Sequence, residues 1–144
     1  MKNIEILNSE GIAGVYDDAL RIRKKVFIGE QGIDPDLEVD DLDEKSWHFV
    51  AYLEKKPIST ARLFIEGDIG ILGRVATLKD YRRCGFSREI IKEIEKLAKE
   101  LTLKSIYLHA QVSAIPFYQR LGYQAEGLEF EEAGIKHQGM RKQL

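Results

Sequence analysis

Arg82-Arg83-Cys84-Gly85-Phe86-Ser87 combines residue types that could bind and hold an anion. It follows an apolar strand pattern and opens directly into an amphipathic run, Phe86 to Leu101. The first N–H groups of a helix lack intrahelical partners and point outward along its axis. The aligned peptide dipoles add partial positive charge there, so such a helix start accepts an anion. Gly85 has no Cβ, which lets an anion approach the main chain and lets the turn take unusual dihedrals. Arg82 and Arg83 add permanent charges able to pair bidentately with phosphate. The plainer reading is a glycine and some basic residues at the start of a core helix. Cys84 shares the turn, where a helix N-terminus would lower a thiol pKa.

Other groups with chemical potential lie elsewhere. Tyr118 is either a proton donor or a half-buried aromatic with a polar tip. His48, His109 and His137 titrate nearest neutrality, and many strand histidines merely face solvent. Glu30 and Glu132 add carboxylates near the same segments. Asp34, Asp36, Glu38, Asp40, Asp41, Asp43 and Glu44 place seven carboxylates within eleven residues. An EF-hand needs glycine at its sixth position and a closing glutamate, and counting from Asp34, Asp36 or Asp40 yields no match. That loop is then either solvated, or attracts a cationic amine through its local potential, or holds a cation weakly.

The elements that must position these groups follow from periodicity. Lys2 to Leu7 reads as a strand. Ile12, Val15, Tyr16, Ala19, Ile22 and Val26 form a helical stripe ending near Phe27. Arg21, Arg23, Lys24 and Lys25 crowd its end, where cations complement the dipole, and they read as a solvated terminus. Gly29 to Lys45 reads as a loop with room for a short helix. Trp47–Leu53 and Ile58–Ile65 form a hairpin across Glu54-Lys55-Lys56-Pro57. Ile69 to Thr77 is a third strand, and Gly70 and Gly73 within it indicate a bulge or close backbone approach.

Helix Phe86–Leu101 should bury Phe86, Ile90, Ile91, Ile94, Leu97, Ala98 and Leu101. Glu95 with Lys99, and Lys96 with Glu100, would pair on its wet face. In strand Ser105–Gln111, Ile106, Leu108 and Ala110 face one way, and Tyr107, His109 and Gln111 the other. Strand, helix, strand in that order predicts a right-handed parallel crossover. A helix from Ser113 to Leu121, with a serine cap and Gly122 as its stop, precedes a final hairpin of Tyr123–Phe130 and Lys136–Lys142.

The chain of 144 residues has the size of one domain, 1–144, able to bury a core. Its formal net charge of −2 gives no general footprint for nucleic acid. No apolar run reaches the roughly 18 residues of a membrane span, and Met1 to Glu5 lacks the apolar core of a secretory signal. One cysteine excludes an internal disulfide and a cysteine-cluster metal site. A cytoplasmic enzyme without a metal is the expectation.

Two motifs together carry a resemblance. Arg82-x-x-Gly85-x-Ser87 after its strand, and Ala114-x-x-Phe117-Tyr118-x-x-Leu121-Gly122-Tyr123, resemble the GNAT superfamily of N-acetyltransferases over nearly the whole chain. Val26-Phe27-x-x-Glu30-Gln31 is similar to a small bacterial branch of it. One position departs: the family usually has Gly or Ala where Ser87 stands, and a serine hydroxyl could cap the helix or meet a phosphate.

The resemblance implies an α/β fold of mixed α+β type. Its twisted mixed sheet has about six or seven strands and about four helices. Strands Ile69–Thr77 and Ser105–Gln111 splay to receive the pantetheine arm of acetyl-CoA. Val75, Thr77, Arg82, Arg83, Gly85, Phe86 and Ser87 are the implied cofactor contacts, with the Val75 N–H on the thioester carbonyl. Tyr118 is the implied acid at the cofactor sulfur. The base stays open among Glu30, His109, Glu132, His137 and ordered water, with His137 the favoured catalytic residue. Glu30, Gln111 and Glu132 are the substrate-side candidates, and His48 is structural or a pocket wall. Cys84 sits on the phosphate turn, away from the implied thioester, so direct transfer in a ternary complex is expected.

The acceptor is a small-molecule or protein amine, and pairing of two copies through the last strands stays open. The alternative is a coenzyme A-binding sensor or interaction module of the same fold. The turn lacks the Lys-Ser/Thr ending of a P-loop and the Gly-x-Gly-x-x-Gly spacing of a dinucleotide site.

Overall fold

The computed structural model describes residues 3–144. Runs of alternating or continuous apolar residues build seven strands: β1 (Ile4–Glu10), β2 (Ser46–Leu53), β3 (Lys56–Glu66), β4 (Ile69–Thr77), β5 (Ser105–Gln111), β6 (Gln124–Glu132) and β7 (Ile135–Gln143). They form one sheet in the order β1-β2-β3-β4-β5-β7-β6. Only the β4–β5 pair is parallel. Lys2, expected in the first strand, lies outside the described residues. That strand runs on to Glu10, because Asn8, Ser9 and Glu10 still pair with Phe49, His48 and Trp47.

The β2–β3 and β6–β7 turns are tighter than the composition suggested. Glu54 and Lys55 take φ of 50° and 70°, and Ala133 and Gly134 take 52° and 77°. Positive φ at two central residues gives the turn whose twist matches the strands. Pro57 therefore lies inside β3 rather than in the connection.

The helices cover both faces. α1 (Tyr16–Arg23) continues from Lys24 to Glu30 as a wider π turn. The expected start at Ile12 is corrected: Ile12 is exposed, and positive φ at Gly11 and Gly14 bends the chain before Tyr16. α2 (Pro35–Glu38) is short, and a 3₁₀ turn spans Asp41–Lys45. α3 (Phe86–Glu100) and α4 (Ile115–Arg120) follow.

Ala19, Ile22, Val26 and Phe27 pack with Val50 and Ala76 on one face of the sheet. Ile90, Ile91, Ile94 and Ala98 of α3 pack on the other, against Phe49, Ala51, Leu63, Leu72, Ile106 and Leu108. Each fully buried isoleucine contributes roughly 1.5–3 kcal/mol, so the three on α3 hold that helix, and its N-terminus, rigidly on the sheet. Leu101 lies past the helix end and is 40% exposed, contrary to expectation. Glu95 does not pair with Lys99; it accepts from Tyr123 Oη (3.0 Å) and Lys142 Nζ (3.1 Å), which tie α3 to the end of the sheet.

α4 begins at Ile115 after a 3₁₀ turn, Val112–Ala114, and Ser113 does not cap it. Its end follows expectation. Gly122 has φ 96°, its N–H donates to Gln119 O, and the Tyr123 N–H donates to Tyr118 O. This is the paired closure of a Schellman end, and the Tyr118 and Tyr123 rings meet edge to face across it.

Candidate active site

The parallel strands part company halfway along. Ile69–Leu72 pair with Ser105–Leu108, and no pairing continues beyond. On its other edge β4 bulges there: Arg74 and Val75 stand opposite Ala61 alone, between the pairs Arg62–Gly73 and Thr60–Ala76. The positive φ at the bulge (53°) belongs to Arg74, not to a glycine. Such a backbone costs on the order of 1 kcal/mol, offset here by guanidinium bonds to Glu38 O (3.0 Å), Leu37 O (3.2 Å) and Asp40 (3.1 Å). Gly70 serves close packing instead, since a Cβ there would meet Leu63 at 2.9 Å. The gap opens a cleft of about 930 Å³ between β4 and β5, walled by the π turn, α2, α3 and α4.

At one end lies the basic turn. Gly85 precedes α3 with φ 88°, and a Cβ there would enter open space. No side chain caps the helix, so the N–H groups of Phe86, Ser87 and Arg88 keep their donors free. Ser87 is not a cap: its hydroxyl is 2.6 Å from that of Thr77, which is 2.7 Å from Ser59 Oγ. This hydroxyl chain ties the helix start to β4 and β3. Arg82 is turned back, with Nε donating to Thr77 O (2.9 Å) and Nη2 pairing with Glu30 (2.8 Å). Arg83 and Arg88 line the cleft and are exposed. Val75, Thr77, Arg82, Arg83, Gly85, Phe86 and Ser87 thus all border it. Glu30 does not; it pairs with Arg82 at the basic turn. Cys84 is exposed beside them, its thiol 3.4 Å from Arg82 O.

At the middle of the cleft stands Tyr118. Its ring is buried in the α3-side core, yet it lines the cleft. Its hydroxyl bonds no protein group, and burial pushes the phenol well above its ordinary pKa. The phenol is therefore protonated at neutral pH, an O–H donor on a residue that lines the cleft.

At the far end three cleft residues converge. Glu132 sits at the close of β6, with Oε1 2.9 Å from His109 Nδ1 on β5. Its Oε2 is 3.9 Å from Nε2 of the buried His137 on β7. Gln111 donates to Gln31 (3.0 Å), linking β5 to the end of the π turn. His48 lines no part of the cleft; it is buried and donates from Nε2 to Asp43 O (2.9 Å), and burial lowers its pKa.

Three of the acidic loop's seven carboxylates, Glu38, Asp40 and Asp43, pair with arginines, while Asp34, Asp36, Asp41 and Glu44 are exposed. Glu38 and Asp43 are each 2% exposed, and Arg23 is 1% exposed. Arg23 pairs with Glu38 and with both oxygens of Asp43 (3.0 and 3.1 Å). Arg62 joins Asp40 (2.7 Å) to Asp43 (3.0 Å), and Tyr16 donates to Asp43 (2.9 Å). Burial and the Asp43 carboxylate push the Tyr16 phenol up to about 12. Burial alone would raise Asp43, but the bonds from Arg23, Arg62 and Tyr16 outweigh it and hold its carboxyl below the usual range. Glu38, Asp40, Arg62 and Arg74 of this network line the cleft. Sequence reasoning passed over Arg62, Arg74 and Arg88, and its reading of Arg23 as part of a solvated helix terminus is corrected by the burial of that side chain. One signal was present: Arg23 occupies the stripe Ala19, Ile22, Arg23, Val26, a core-facing position for a cation that then needs buried partners.

Residues 16–144 match the acetyltransferase (GNAT) domain family, and the chain belongs to it. The uncharacterized protein YyaT of Bacillus subtilis is 41% identical over 130 residues, 88% of each chain. A crystal structure from Lactobacillus plantarum superposes with a TM-score of 0.90 over 98% of both chains, at 29% identity. An acyl-CoA N-acyltransferase from Pseudomonas aeruginosa superposes at 0.86, over 97% of this chain and 99% of its own, at 26% identity.

Proposed function

We propose that the protein transfers the acetyl group of acetyl-CoA to a primary amine, on a small molecule or a protein, by direct attack with both reactants bound. One observation carries this reading: the parted strands, the uncapped helix start and the unbonded Tyr118 hydroxyl all border a single cleft. The residues fit the cosubstrate. Backbone N–H groups of the Gly85–Arg88 turn, with Arg83 and Arg88, would hold its pyrophosphate. The β4 bulge at Val75 would hold the pantetheine arm. Arg82 acts through Thr77 and Glu30, fixing the turn.

Acetyl-CoA supplies the activated acyl group. Holding it beside the amine lowers the barrier by about 7–11 kcal/mol through proximity and orientation. Acid–base assistance is worth about 10²–10⁴ in rate. The Tyr118 O–H donates toward the departing sulfur, and its raised pKa keeps that proton present at neutral pH. The amine must reach the thioester carbonyl as a free base, and His137, which lines the cleft, would take its proton.

Calorimetry with acetyl-CoA tests the first part, on wild type, Gly85→Glu and Tyr118→Phe. Wild type should bind, Gly85→Glu should not, and Tyr118→Phe should bind while losing about 10²-fold or more in thiol release on an amine panel. No binding by wild type would sink the reading. Binding with no turnover on any amine would favour a coenzyme A-binding sensor of the same fold.

A further inference from the structure

Resting on that reading, we propose that His137 Nε2 and Glu132 Oε2 form the site where the acceptor ammonium docks and loses its proton, and that His109 is the positioning residue that holds Glu132 in place. Three observations converge. His137 Nδ1 lies 2.7 Å from Ile135 O. A carbonyl only accepts, so Nδ1 carries the hydrogen and Nε2 of the neutral ring carries the lone pair. Nε2 has no protein partner, and it is not among the sealed polar atoms of the described residues, so it opens on the cleft.

The 3.9 Å between Nε2 and Glu132 Oε2 is too long for a hydrogen bond. It is a span that one ammonium nitrogen could bridge with bonds of about 2.9 Å to each. The carboxylate attracts the cation, and the imidazole then takes one proton. The N–H bond of the ammonium breaks, its electron pair stays on nitrogen, and a new N–H forms at Nε2. The resulting imidazolium faces the Glu132 charge that stabilises it. The free amine attacks, and half-exposed Glu132 offers the proton a route to water.

His109 completes the arrangement. Its Nδ1–H to Glu132 Oε1 leaves Oε2 turned toward His137. The Phe130 ring lies between the two imidazoles, edge to face with His109 (4.8 Å) and stacked on His137 (6.0 Å). Other groups near this end are Tyr107 at 5.4 Å from His109, itself under Arg141, and Tyr118, Arg120 and Gln111 in the cleft. Glu131 and Lys136 face each other across the hairpin. None of these offers Nε2 a second carboxylate.

The test combines a titration that needs no acceptor with kinetics that do. His137 is followed by NMR against pH in wild type, Glu132→Gln, His109→Ala and His109→Asn. Its pKa should fall by about half a pH unit or more in Glu132→Gln and His109→Ala, and recover in His109→Asn, whose amide can still donate to the carboxylate. With the best amine of the panel, His109→Ala should raise KM for the amine several-fold and leave acetyl-CoA binding unchanged. Glu132→Gln should shift the acid limb of the kcat/KM profile with the NMR value. An unchanged His137 titration in Glu132→Gln and His109→Ala overturns the proposal whether or not an acceptor is known. Failure to bind acetyl-CoA, read separately, overturns the transferase reading instead.

Discussion

The two ends of the cleft are built in opposite ways. The proposed phosphate end is one continuous stretch, Thr77 to Arg88, made of a strand end, a turn and a helix start. The proposed acceptor end is collected from eight places: Arg23 on α1, Glu38 on α2, Asp40 and Asp43 in the loop, Arg62 on β3, Arg74 on β4, His109 on β5, Glu132 on β6 and His137 on β7. The first depends on backbone donors and a permissive glycine. The second depends on charges that are stable in the interior only as a set.

The largest break should come from the charged set. Arg23→Ala leaves Glu38 and Asp43 buried without their shared partner, and removing one member of a buried pair costs about 3–5 kcal/mol. Urea unfolding should show that loss, and a cost under about 1 kcal/mol would mean that the network is marginal to stability. At the phosphate end the cost should be smaller and of another kind. Gly85→Ala places a left-handed alanine at φ 88°, worth about 1–2 kcal/mol of folding energy, and its Cβ would stand in the open cleft. Calorimetry should then find weaker acetyl-CoA binding than the stability change alone explains.

The smallest effect sharpens the same contrast through pH. Asp43 is held below its ordinary value of 3.8. A depressed carboxylate pKa stabilises the fold fully above the unfolded value and loses that contribution as pH falls through the folded one. The Tm should thus be level down to about pH 5 and decline below it, and the decline should be shallower in Asp43→Asn from a lower starting point. Equal slopes would show that other carboxylates carry the acid sensitivity.

Much of the fold was legible because it rests on short spacings. Period-two alternation placed Ile106, Leu108 and Ala110 on the core face and His109 and Gln111 on the other. Steps of three and four placed the α3 stripe. Gly122 ended α4 because a left-handed residue is what that closure requires. Where expectation failed locally, a neighbour competed: Ser87 bonds Thr77 instead of capping, and Glu95 turns to Tyr123 and Lys142 instead of Lys99.

By itself, then, the sequence determined the strand–turn–helix that frames the phosphate end, the two core faces, and the Tyr118 motif, since each is set by residues within a few positions of one another. Only the tertiary structure decided that Arg23 is a buried anchor, that Glu38, Asp40 and Asp43 of the acidic loop pair with arginines, that Glu30 serves Arg82, and that His109 and His137 share Glu132. Ion pairs are chosen by distance and burial in space. Residues 20 or 23 positions apart acquire partners only when the sheet and its crossovers bring them together, and no periodicity along the chain records that choice.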